Sequence, residues 1–239
     1  MHVPILIGDD HVNLFSLQIP LPFPRAYQVL FIALLGLLLV YPLVAEAPLL
    51  SGLTQFFVGA VLLAAALAAS SDGRQFRITM VFAAFGLLFG VFGELVAPVA
   101  VGASRIYGLV FLGWVTWQVL HDVLLVGRRV NAHIIYGALC AYLLIGLVFA
   151  FAFSALHSFV PESLAGIESG GERHAPFTEF AYFSFASLTT LGIGDVLPLS
   201  SLARALTYVE AVIGQIYLTV IVARLVALYS AAALRESGD

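Results

Sequence analysis

Apolar residues gather along the chain into six runs, each about the length needed to cross a bilayer. A helix needs roughly 20 residues to span about 30 Å of hydrocarbon. The runs lie at 26–44, 53–69, 76–97, 105–126, 134–156 and 201–230, with polar and turn-forming residues between them. Pro20, Pro22 and Pro24 alternate just before the first run and predict an extended lead-in that is not helix. The pattern predicts an all-α membrane protein with six transmembrane helices.

One connection breaks the rhythm. After the fifth run comes "HSFVPESLAGIESGGERHA", polar and glycine-rich, which reads as a loop outside the membrane. It is followed by "PFTEFAYFSFASLTTLGIGD", apolar but too short to cross. Pro176 to Thr178 with Glu179 form a helix-start signal. The stretch therefore predicts a short re-entrant helix followed by non-helical backbone. Such backbone survives at membrane depth only when it is buried in protein or lines water.

That restriction gives meaning to Thr190-Leu191-Gly192-Ile193-Gly194-Asp195. A strand that aims successive carbonyls at one axis must alternate between right- and left-handed backbone. Glycine takes positive φ without steric penalty, and Gly192 and Gly194 stand where the alternation needs it. Leu191 and Ile193 then point outward into protein, and the Thr190 hydroxyl adds an oxygen at the inner end. A column of oxygens of this kind replaces the water around a bare cation.

Composition narrows the reading. The chain is 62% hydrophobic and 10% charged, against about a quarter charged in a soluble domain. Mean hydropathy is +1.05. The net charge of −4 and the lack of a basic run give no indication of a nucleic-acid partner. Every basic residue in the Lys+Arg count is arginine, and their placement orients the spans. Arg25, Arg74, Arg77, Arg128, Arg129 and Arg235 fall on one side of a six-span layout, which makes that side cytoplasmic and both termini cytoplasmic. "MHVPILIGDDHVN" lacks the basic start of a cleaved signal peptide. Cys140 lies mid-span and reads as a buried, inert thiol. The six histidines show no metal-ligand spacing, and neither H-E-x-x-H nor G-x-S-x-G occurs, so no enzyme and no cofactor is expected.

"TTLGIGD" resembles the potassium-channel signature, usually T-x-G-Y-G-D. "FAYFSFASLTT" is similar to the pore helix of that family, and "ARALTYVEAVIGQIYLTVIVARLVALYS" to its inner helix. The likeness covers about 134–232. It implies a selectivity filter of Thr189, Thr190, Leu191, Gly192, Ile193, Gly194 and Asp195. K+ would be held by the backbone carbonyls of Thr190, Leu191, Gly192 and Ile193. It further implies that Tyr182 braces Asp195, that Gly214 is the inner-helix hinge, and that four chains close one filter as a homotetramer. Two positions depart from the family. Ile193 stands where tyrosine is commonest, and Leu191 replaces valine or isoleucine. Isoleucine packs but cannot donate a hydrogen bond, which makes a looser, weakly selective or non-selective cation filter the alternative.

Counting from Gly214 at helical spacing puts Gln215, Leu218, Thr219, Val222, Ala223 and Val226 on one face, the expected lining of the cavity and gate. Ile216, Tyr217 and Val220 fall off that stripe. Glu210 falls toward the back of the pore helix, where a carboxylate must find a hydrogen bond or stay protonated, and it is expected to support the filter. The organisation expected is a cytoplasmic segment at 1–25, a four-helix domain at 26–130 and a pore domain at 131–239. The fourth run carries Arg105 at its outer end and Arg128 and Arg129 beyond its inner end, so it holds no charge to move in the field. It is not a conventional voltage sensor. No nucleotide- or calcium-binding module is visible in the segments flanking the spans, so regulation is expected from lipid, pH, tension or the filter itself. The expected setting is the cell membrane, with lipids, K+ and further copies of the chain as partners and no nucleic acid. The competing class is a non-conducting sensor or accessory subunit.

Overall fold

The computed structural model of the chain describes residues 26–45, 77–86, 98–126, 132–167 and 177–236. The expected span at 53–69, the second half of 76–97, and the cytoplasmic segment at 1–25 lie outside the described residues. Six α-helices are described. They are α1 (Ala26–Ala45), α2 (Arg77–Gly86), α3 (Pro98–His121), α4 (Ala132–Phe159), α5 (Phe177–Leu188) and α6 (Ser201–Glu236). Two of them are long and apolar enough to cross a membrane, over Ile134–Phe159 and Ser201–Ala227. α3 has the length, but Thr116, Gln118 and His121 dilute its apolar character.

α4 is the central post. Its sequence is apolar on every side, so it packs against α1, α3, α5 and α6 at once. Leu30 and Leu34 of α1, Phe111, Val115 and Val119 of α3, and Ala138, Ala141 and Leu144 of α4 form one buried cluster. Close approach rests on small residues, as expected where lipid tails compete with side chains for apolar contact. At Gly108 an added Cβ would lie 2.3 Å from the Phe151 ring, and at Gly137 2.7 Å from Val123.

α3 ends in a π-helical turn, Asp122–Val126. The Tyr27 hydroxyl donates to Asp122 Oδ2 at 2.8 Å, and the Arg224 guanidinium of α6 donates to the Val123 carbonyl.

The loop after α4 has more structure than its composition announced. A 3-10 turn, Pro161–Ser163, leads into strand β1 (Leu164–Ala165), which pairs antiparallel with β2 (Leu197–Pro198). Leu164 faces Pro198 and Ala165 faces Leu197. The Ser163 carbonyl accepts from the Leu199 N–H at 2.9 Å. Ser200 then caps α6, its hydroxyl accepting from the Ala203 N–H at 3.1 Å.

Candidate functional site

α5 spans 12 residues, about 18 Å at helical rise, well short of the membrane. One face of it is buried against α4 and α6 through Phe180, Phe183, Ser184 and Leu188. Phe183 meets Phe153 of α4 edge-on at 4.8 Å between ring centres. The helix stops in a turn at Thr189 and Thr190, where the Ala186 carbonyl accepts from both Leu191 N–H (2.8 Å) and Gly192 N–H (3.2 Å). The Thr189 hydroxyl donates to the Phe185 carbonyl at 2.6 Å.

Beyond the turn the backbone alternates. Thr190, Gly192 and Gly194 have φ of 59°, 58° and 85°, and no other non-glycine residue has positive φ among the described residues. For glycine this conformation carries no steric penalty. For a β-branched residue it is strained, so the surrounding structure must hold Thr190 in place. Sequence reading assigned the left-handed positions to the glycines and missed Thr190, because threonine normally disfavours that region. The Thr190 hydroxyl donates to the Thr189 carbonyl at 2.7 Å, which leaves its lone pairs free to face a cation.

The side chains of this segment have no cover from their own chain. Leu191 is 64% exposed and Ile193 60%. A Cβ built at Gly192 or Gly194 would meet nothing within 4 Å. The requirement for glycine there comes from the backbone angle and not from crowding.

The outer end is anchored on two sides. Tyr182 and Asp195 are brought together, the phenol donating to Asp195 Oδ2 at 2.7 Å, while Oδ1 accepts from the Val196 N–H at 3.0 Å. The hydrogen bond from Tyr182 holds the Asp195 carboxyl below its ordinary value of 3.8, and the same bond pushes the Tyr182 phenol up. On the other side Gly166 presses against the Asp195 carbonyl so closely that a Cβ would lie 2.0 Å from it. Neither Gly166 nor the β1–β2 pair was anticipated. The only available signal was the glycine in "SLAGIE".

Behind the segment 190–195, α6 buries Ala203, Glu210, Gly214 and Ile221 against α4 and α5. The Ser184 hydroxyl contacts Glu210 Oε1, and Glu210 is fully buried. The helix continues without interruption through Gly214, where a Cβ would lie 2.4 Å from the Leu188 carbonyl. Gly214 thus gives room for the end of α5, a purpose distinct from the bend expected of it. Gln215, Leu218, Thr219, Val222, Ala223 and Val226 are all exposed. Exposure continues round the helix to Ile216 and Val220, while Tyr217 turns to α4 and donates to the Ala138 carbonyl at 2.6 Å. The open face is therefore broader than a single cavity-facing stripe.

Residues 137–231 match the family model described as "Ion channel". The matched ion-channel segment runs from α4 to α6 and covers less than half of the chain. The matched family is not an enzyme family, and the two helices long and apolar enough to cross a membrane point, with that match, to a membrane protein. No curated protein and no solved structure matches the chain. Among the described residues no group of histidines, cysteines and carboxylates is arranged to hold a metal by its side chains.

Proposed function

We propose that the chain forms a homotetrameric, potassium-selective channel of the cell membrane, with six spans and both termini cytoplasmic. One observation carries the reading: positive φ at Thr190, Gly192 and Gly194, directly after a helix too short to cross. Alternate left-handed residues turn consecutive carbonyls of Thr190, Leu191, Gly192 and Ile193 to one side, where they replace the hydration shell of a cation. One chain supplies one wall of such a column, and the uncovered Leu191 and Ile193 side chains call for neighbouring copies. Passive flux through the column needs no catalytic group.

A weakly selective cation channel is the second reading. It is favoured by Ile193, which cannot donate a hydrogen bond to hold the width of the column. Planar-bilayer recording of the purified protein, with potassium and sodium on opposite sides, tests both. A reversal potential close to that for potassium supports the first reading, and one near zero the second. Absence of current would leave a non-conducting membrane protein. Gly194→Ala should abolish the current and leave the assembly intact, because left-handed alanine costs about 1–2 kcal/mol per residue and no neighbour crowds the site.

A further inference from the structure

Counting hydrogens around Ser184 gives the state of Glu210. The Ser184 oxygen lies 2.7 Å from the Gly146 carbonyl of α4 and also in hydrogen-bond contact with Glu210 Oε1 of α6. A serine hydroxyl has one hydrogen, and a carbonyl only accepts. If Glu210 were a carboxylate it too would only accept, and one of the two contacts would set oxygen lone pairs against each other. A protonated Glu210 resolves both: its O–H donates to Ser184, and the Ser184 O–H donates to Gly146.

A second observation points the same way independently. Glu210 Oε2 is buried and has no hydrogen-bond partner, and no ion pair reaches Glu210 among the described residues. An unpaired buried charge is far more costly than an unpaired neutral carbonyl. The nearby Tyr142 hydroxyl is directed at the Leu188 carbonyl, 3.4 Å away, and does not serve Glu210.

We infer that Glu210 is a neutral carboxylic acid whose proton ties α6 to α5 and, through Ser184, α5 to α4. It is a positioning residue for the filter, because Ser184 stands on the short helix from which the filter segment springs. In the assembly the corresponding residues place no negative charge behind the pore, so the cavity potential is set by other groups. The inference deepens the channel reading in its functional part, while the protonation state itself stands apart from it.

The test is difference infrared spectroscopy of purified protein in lipid, wild type against Glu210→Gln. The expected result is a carbonyl stretch of a protonated carboxylic acid in the wild type that shifts in heavy water and is missing from the variant. Because an amide can donate to Ser184 as the acid does, Glu210→Gln should keep wild-type unitary conductance and stability of current. Glu210→Ala and Ser184→Ala should each make the current decline several-fold faster, and together no faster than either alone. A wild type without the band, or a Glu210→Gln protein as impaired as Glu210→Ala, overturns the inference. If Glu210→Ala fails to fold, the infrared comparison still decides. A wild type that shows the band but carries no current refutes the channel reading and leaves the protonation assignment standing.

Discussion

α4 and α6 are both long and apolar enough to cross a bilayer, yet the chain treats them in opposite ways. Within one chain 56% of the apolar window of α4 is buried, against 17% for α6. α4 is surrounded by α1, α3, α5 and α6. α6 buries one stripe, Ala203, Glu210, Gly214 and Ile221, spaced seven, four and seven residues apart. Hydropathy reports that a helix is long and apolar enough to cross a membrane. Burial reports how much of its surface the chain itself covers, and the remainder must meet lipid, water or another copy.

That contrast can be broken at either helix, and the largest effect is expected at α4. Leu144 is fully buried there, and Leu144→Ala should cost about 2–5 kcal/mol. The thermal midpoint in detergent should fall, with the state of assembly unchanged. A midpoint equal to wild type would mean that α4 is not the post on which the fold rests.

On α6 the expected loss is of a different kind. Ile216, 58% exposed, lies mid-helix, where a lysine costs about 2.5–3.5 kcal/mol in hydrocarbon. Ile216→Lys should leave the helical content intact and lower the assembled fraction read by light scattering. Full assembly of that variant would show that this side of α6 is not covered by a neighbour.

Cysteine substitution sharpens the comparison further by dividing the open face of α6. In a Cys140→Ser background, a positively charged thiol reagent should block current at positions 215, 219 and 223 and spare 217 and 221. Positions 216 and 220 should react before assembly but not after it. Block following 217 and 221 would mean that the helix is rotated about its axis.

The smallest effect is expected at the outer anchor, which belongs to neither helix. Because the hydrogen bond from Tyr182 holds the Asp195 carboxyl below its ordinary 3.8, the contact is complete at neutral pH and is lost only as pH falls below that value. Outer acidification through that range should barely change wild-type current. In Tyr182→Phe the acid inhibition should move up toward 3.8. An unchanged acid profile would remove Tyr182 from the anchoring of Asp195.

Features written into local chemistry were legible from sequence. The apolar runs located α4 and α6, and Pro176 with Glu179 announced α5. Gly192 and Gly194 marked two of the three left-handed positions, and the family resemblance pointed to Tyr182 and Asp195, a pair that the fold brings together. Features imposed by tertiary contact were not legible. Threonine has no preference for the angle that Thr190 adopts, so only the packing around it accounts for that angle. The two-residue strands are too short to carry a periodicity, and they form where Ser163 accepts from Leu199 and Gly166 presses against the Asp195 carbonyl. Glu210 could be placed behind the short helix, but its proton became countable only once Gly146 and Ser184 were seen together.

The π turn at the end of α3 has a mechanical consequence. Arg224 grips the Val123 carbonyl within it, while Asp122, one residue earlier, is held by Tyr27 of α1. Arg224 lies ten residues beyond Gly214 along α6. The lower part of α6 is thus a lever with its free arm tethered to the first helices of the chain. Any swing of that arm must either break the tether or drag the end of α3 along, so a pull on α1 and α3 and a displacement of the end of α6 are two ends of one linkage.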